Sequence, residues 1–159
     1  MLATPHILTG AVIGILLSSI PAIIVVAFLS HFVLDAIPHT EVSTFRPIEE
    51  RDIDDPRIDK LTYNIAFVDI AIGMSFIVIL FSNRQDIFLP LIGIGAAILL
   101  DVINHVPLWK KYTRTLPIFK QIYQIHRGIH YQLPTKFWPV GVITQIIIVG
   151  GAIWLLLRY

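Results

Sequence analysis

Residues 21–39 read PAIIVVAFLSHFVLDAIPH. The run is apolar but for Ser30 until His31. It then takes in a carboxylate at Asp35 and, past Pro38, a second imidazole at His39. The pattern returns 66 positions later: Leu100, Asp101, Ile103 and His105 repeat Leu34, Asp35, Ile37 and His39. An aspartate at the centre of a membrane helix costs about 2.5–3.5 kcal/mol on insertion scales. A chain that accepts this cost twice, beside a histidine each time, needs a physical reason.

Composition sets the environment of these runs. Of 159 residues, 55% are hydrophobic and 14% charged, against about 25% charged in an average soluble domain. The mean hydropathy is positive. Together these indicate an all-α integral membrane protein with a single domain over 1–159. The net charge of +1 identifies no partner, and the expected partners are membrane lipids and a lipid substrate, not nucleic acid. The absence of cysteine excludes disulfides, thiolate metal sites and cysteine nucleophiles.

Five apolar spans are expected, at about 4–19, 21–38, 63–82, 87–107 and 137–157. About 20 residues are needed to cross the hydrocarbon core, so the first two are short. Ser18-Ser19-Ile20-Pro21 joins them in a tight turn and predicts an antiparallel hairpin. The first span lacks the basic region and small-residue cleavage site of a signal peptide, and His6 starts it. Gly10 and Gly14 form a small-xxx-small pair, read as an internal helix contact; Gly93, Gly95, Gly150 and Gly151 are open to the same reading.

Two polar segments separate the spans. Segment 40–60 holds seven acidic and four basic residues and reads as a solvated linker. Segment 108–136 holds six Lys/Arg and no acid, with Ile118, Ile122, Ile125 and Ile129 at helical spacing. It reads as an interfacial amphipathic helix. Five spans put ten of the twelve Lys/Arg on one side, leaving Arg84 and Arg158 on the other. The positive-inside rule makes that side, with the N-terminus, cytoplasmic and the C-terminus external.

This topology gathers the polar residues. His6, His39, Asp101, His105, His126 and His130 fall near the cytoplasmic face, with Asp69 about two turns into the third span. His31 lies about 12 Å deeper than His39 at 1.5 Å per residue. His31–Asp35, Asp101–His105 and His126–His130 are i, i+4 pairs on a shared helix face. Asp35–His39 has the same spacing, but Pro38 should kink or end the helix there. Ligand pairs one turn apart are a familiar way for a helix to hold a metal ion. The metal candidates are therefore His6, His31, Asp35, His39, Asp101, His105, His126 and His130. Their mixed His/Asp character suits Zn²⁺, and also Mn²⁺ or Fe²⁺, as one or two ions.

The blocks PHILTGAVIG, FLSHFVLDAIPH, LLDVINHVP and HRGIHY resemble the signatures of bacterial membrane-bound metal-dependent hydrolases, the inner-membrane family with LexA-regulated members. They are also similar to small bacterial membrane proteins with an S-H-F-x-L-D-x-x-P-H block. The resemblance covers spans one, two and four and the basic segment. It implies metal ligation by His6, His31, Asp35, Asp101, His105, His126 and His130. The family's H-R-G-x-T-H-S is here one residue shorter, His126 to Tyr131, and its P-D-x-D-H is here Leu100 to His105. The order of blocks differs too.

The expected activity is hydrolysis of a lipid ester or phosphoester. Asp69 is the expected general base and Arg127 the expected phosphate contact, with Lys110, Lys111 and Lys120 near it. The lysines also serve topology and headgroup attraction without any substrate. A non-enzymatic protein that binds or conducts a metal cation or protons would need the same cluster. A through-going path, however, needs polar residues in both membrane halves, and the outer halves hold little beyond Ser18, Ser19, Ser75, Thr144 and Gln145. Haem ligation is disfavoured by the three carboxylates. The oligomeric state is not readable from the sequence.

Overall fold

The structure, a computed structural model, describes residues 1–41, 44, 60–106 and 108–159. It is all-helical: α1 (Ala3–Leu16), α2 (Ile20–Ala36), α3 (Lys60–Phe81), α4 (Phe88–His105), α5 (Lys110–Thr113), α6 (Pro117–Ile129) and α7 (Trp138–Arg158), with a 3-10 turn at Thr135–Phe137. Among the described residues the extended pairing is one isolated parallel bridge, His39 with Gln132. Most of the acidic segment 40–60, expected as a solvated linker, lies outside the described residues.

Among the described residues, three helical stretches are long and apolar enough to cross a membrane: Thr62–Phe81, Phe88–His105 and Thr135–Arg158. The first two expected spans fold as helices of 14 and 17 residues, about 21 and 26 Å long against a hydrocarbon core of about 30 Å. The shortness of α1 has a packing reason. It is the central helix and touches α2, α3, α4 and α7. Ile7, Leu8, Ala11 and Val12 are buried against Ile77 and Phe81 of α3, Ile94 of α4, and Ala152 and Leu156 of α7. A helix walled by others has no lipid thickness to match.

Small residues set how closely the helices pack. A Cβ on Gly10 would lie 2.6 Å from the Gly93 carbonyl oxygen, and one on Gly14 would strike the backbone of Leu89 and Pro90. The Gly10–Gly14 pair is thus an internal α1–α4 seam. Gly95, Gly150 and Gly151 face open space. At the α2–α4 crossing, Ala27 packs on Ala96 and Ala97. That close approach brings the fourth helix's backbone to His31. Outward faces carry bare apolar side chains, among them Val33, Phe67, Val78, Ile79, Ile146 and Ile147.

Candidate metal centre

Asp35 is the penultimate residue of α2 and is 1% exposed. Its two oxygens face different groups. Oδ2 lies 2.6 Å from Nε2 of His126 and 3.3 Å from Nε2 of His31. Oδ1 accepts from His6 Nε2 at 3.2 Å and from the Met1 amino group at 2.5 Å. The His6 and His31 rings stack with centroids 4.2 Å apart. Four histidines and an amine from α1, α2 and the α6 region therefore converge on or beside one buried carboxylate, since His130 Nε2 is 3.9 Å from Oδ2.

The tautomers of two of these histidines follow from their partners. His31 Nδ1 donates to the Ala97 carbonyl at 2.7 Å, and His39 Nδ1 donates to the Ile37 carbonyl at 2.8 Å. A carbonyl only accepts, so each Nδ1 carries a proton. A neutral ring then points a lone pair from Nε2. The His31 lone pair faces Asp35 Oδ2, His126 Nε2 at 3.3 Å and Asp101 Oδ1 at 3.7 Å. Electron-rich atoms do not gather this way in a buried site unless a proton or a cation lies among them. Among the described residues, three groupings have donor atoms within 4.8 Å of one another: His6, His31 and Asp101; His31, Asp35 and His126; and Asp35, His39 and His130.

All eight sequence-expected metal candidates share this one cluster. The i, i+4 pairs His31–Asp35 and Asp101–His105 are in contact, the second at 3.4 Å. His126 and His130 meet ring edge to face with centroids 5.6 Å apart. Pro38 does stop α2, which ends at Ala36. His39 enters the cluster by another route. Its N–H donates to the Tyr131 carbonyl at 3.3 Å, its carbonyl accepts from Leu133 N–H at 3.0 Å, and Tyr131 N–H donates to the Asp35 carbonyl at 2.8 Å. The chain after α6 thus lies along the end of α2 and carries His130 onto His39, with Nε2 atoms 3.3 Å apart.

Two further residues were expected at the site. Asp69, expected as general base, is the N-terminal cap of α1. Its Oδ2 accepts from the N–H groups of Ala3 at 2.5 Å and Thr4 at 3.1 Å, and its Oδ1 accepts from Thr4 Oγ1 at 2.7 Å. Both oxygens are spent on a helix start whose donors would otherwise be orphaned. Arg127, expected to hold a phosphate, is exposed on α6, while Tyr123 and His126 form that helix's buried face. The side chains of Lys110 and Lys111 lie outside the described residues.

Two groups join the cluster unforeseen. Glu41 Oε1 lies 2.9 Å from His130 Nε2 and 3.2 Å from His39 Nε2. The Met1 amine lies 2.8 Å from the same oxygen. Burial disfavours charge on the Met1 amine, but Glu41, Asp35 and Asp101 outweigh it, and its pKa is pushed up to about 10. Burial also opposes ionisation of Glu41. The Met1 ammonium and the imidazoles of His130 and His39 reverse this and hold its carboxyl well below the usual carboxylate range. Glu41 was hidden by the six further acids of its segment; its one distinguishing mark is its place two residues after His39. The chain matches no protein-family model, no curated protein and no solved structure.

Proposed function

We propose that the protein is a membrane-embedded metal-dependent hydrolase of a lipid ester or phosphoester. It would cross a bacterial-type inner membrane five times, with the N-terminus cytoplasmic and α6 at the inner headgroups. The charge bias of the segments supports the orientation. The placement of α6 at the headgroups is supported by its own faces, where Ile118 and Ile125 are exposed while His126 is buried. That is the reverse of a helix packed in water, and it suits a helix whose bare face meets lipid.

The observation that carries the metal reading is the His31 Nε2 lone pair turned on Asp35, Asp101 and His126. Charge supports it. With the imidazoles neutral, three carboxylates (Asp35, Glu41, Asp101) against one ammonium leave the cluster two negative charges in a poorly solvated place. A divalent ion would be held by His31, Asp35 and His126, with His6 and Asp101 beside it, and would supply a bound water of lowered pKa and polarisation of the scissile oxygen. The protein's own groups do the rest. Ala97 fixes the His31 ring through Nδ1, as outer partners of metal-ligating histidines do. Asp101 and His105 are the open edge, with side chains 28% and 41% exposed. They replace Asp69 as the groups that take and return a proton, His105 handing it to solvent and Asp101 orienting the ring.

The test is elemental analysis of detergent-purified protein. One or more equivalents of Zn, Mn or Fe are expected per chain, reduced by at least one ion in His31→Ala and in His126→Ala. Turnover of lipid-phosphate and lipid-ester substrates should fall with the metal. Wild-type protein free of metal across several preparations would refute the reading and leave a protonated His/Asp network. Bound metal without turnover would leave a cation-binding membrane protein.

A further inference from the structure

We propose that His39, Glu41 and His130 hold a second divalent cation beside the His31–Asp35–His126 centre. The inference rests on the metal reading above and adds a site with a carboxylate ligand of its own. Ligands of one tetrahedral zinc, bonded at 2.0–2.1 Å, stand about 3.4 Å apart along each edge. Nε2 of His39, Nε2 of His130 and Oε1 of Glu41 form a closed triangle with edges of 3.3, 2.9 and 3.2 Å. The inner centre forms a second closed triangle, with edges of 3.3, 3.3 and 2.6 Å. The outer triangle is near one face of such a tetrahedron, the inner one is drawn in along its His126–Asp35 edge, and each consists of two imidazoles and one carboxylate, a donor set suited to catalytic zinc. Asp35 stands between them and also groups with His39 and His130.

The chemistry agrees. His39 donates Nδ1–H to the Ile37 carbonyl, so a neutral His39 turns a lone pair on the Glu41 carboxylate. This is the same arrangement as at His31, formed from different residues. A positive charge already sits at the triangle's edge: the Met1 ammonium, 2.8 Å from Glu41 Oε1 and 3.3 Å from His130 Nε2. It marks where the field of Asp35 and Glu41 draws a cation.

The segment carrying Glu41 is also held in place. Thr40 Oγ1 donates to the Trp138 carbonyl at 2.9 Å, and Gln145 donates to the Thr40 carbonyl at 2.9 Å. Gly141 of α7 lets Thr40 approach, since a Cβ there would lie 2.6 Å from the Thr40 nitrogen. Beyond Glu41, fully buried Thr44 accepts from the Glu41 N–H at 2.9 Å and from Gln132 at 3.0 Å. Glu41 is thus fixed on both flanks by α7 and the post-α6 chain, as an orienting outer shell requires.

The experiment titrates chelator-stripped, full-length protein in detergent with Zn²⁺ and counts bound zinc after dialysis. Two equivalents are expected for wild type and one each for Glu41→Gln and His130→Gln. A variant that keeps one zinc is by that fact folded around the inner centre. One equivalent in wild type would overturn the second site and leave the metal reading standing. None in wild type would overturn both. Two equivalents in Glu41→Gln would remove Glu41 as a ligand and with it the proposal. None in that variant, beside two in wild type, would show the two positions to be one site and refute the proposal equally.

Discussion

Replacing Asp69 by alanine separates a cap from a catalyst. The carboxylate makes three hydrogen bonds to the start of α1, two to backbone N–H groups and one to the Thr4 hydroxyl. Each is worth about 1 kcal/mol net. The hydroxyl also lies 2.8 Å from the Asp69 backbone carbonyl, which alanine retains. Its bond is therefore largely recovered, and the loss comes to about 2 kcal/mol, within the measured range for cap removal. Asp69→Asn keeps an amide oxygen to accept from Ala3 or Thr4 and should recover about half. Unfolding of the detergent-solubilised protein, followed by circular dichroism across a denaturant series, measures both variants. Zinc per chain and turnover in Asp69→Asn complete the assay, and both should stay near wild type because no ligand is touched. Asp69→Ala within about 0.5 kcal/mol of wild type would refute the cap argument. Asp69→Asn that is folded and zinc-loaded but inactive would restore Asp69 as the base.

Further outcomes follow from the packing and the orientation. Gly10→Leu should destabilise by at least about 2 kcal/mol, because its side chain meets backbone that cannot yield. Gly151→Ala, in open space on α7, should gain roughly 0.5–1 kcal/mol from helix propensity; both are read by the same denaturation assay. The chain has no cysteine, so single cysteines report topology directly. In intact cells Asn83→Cys should react with an impermeant maleimide, and Gln121→Cys should react only after permeabilisation. The opposite pattern would invert the proposed orientation.

Much of the site was legible because membrane chemistry is unforgiving. Asp35 and Asp101 stand out in apolar runs, and their costs require partners wherever the helices pack. The i, i+4 spacing of His31 with Asp35 and of Asp101 with His105 needs only a helix to become contact, and both contacts form. Asp69 is the same kind of residue, with a partner that the sequence does not show. An acid in an apolar run was rightly expected to have a partner, but which partner depends on a neighbouring helix's start, and nothing in the sequence near Asp69 announces Thr4.

The sequence by itself thus determined that the chain is helical and lipid-compatible, that its acids and imidazoles crowd toward one end, and which pairs share a turn. These are local matters of hydropathy and period, with a range of about four residues. Only the tertiary structure decided that α1 is the central helix, that the Ala97 carbonyl selects the proton position on His31, and that Glu41 and His130 close a triangle on His39. The His31 and His39 contacts join positions 66 to 91 residues apart along the chain. They are set by how small residues let helices approach and by which backbone atoms then fall within hydrogen-bond reach.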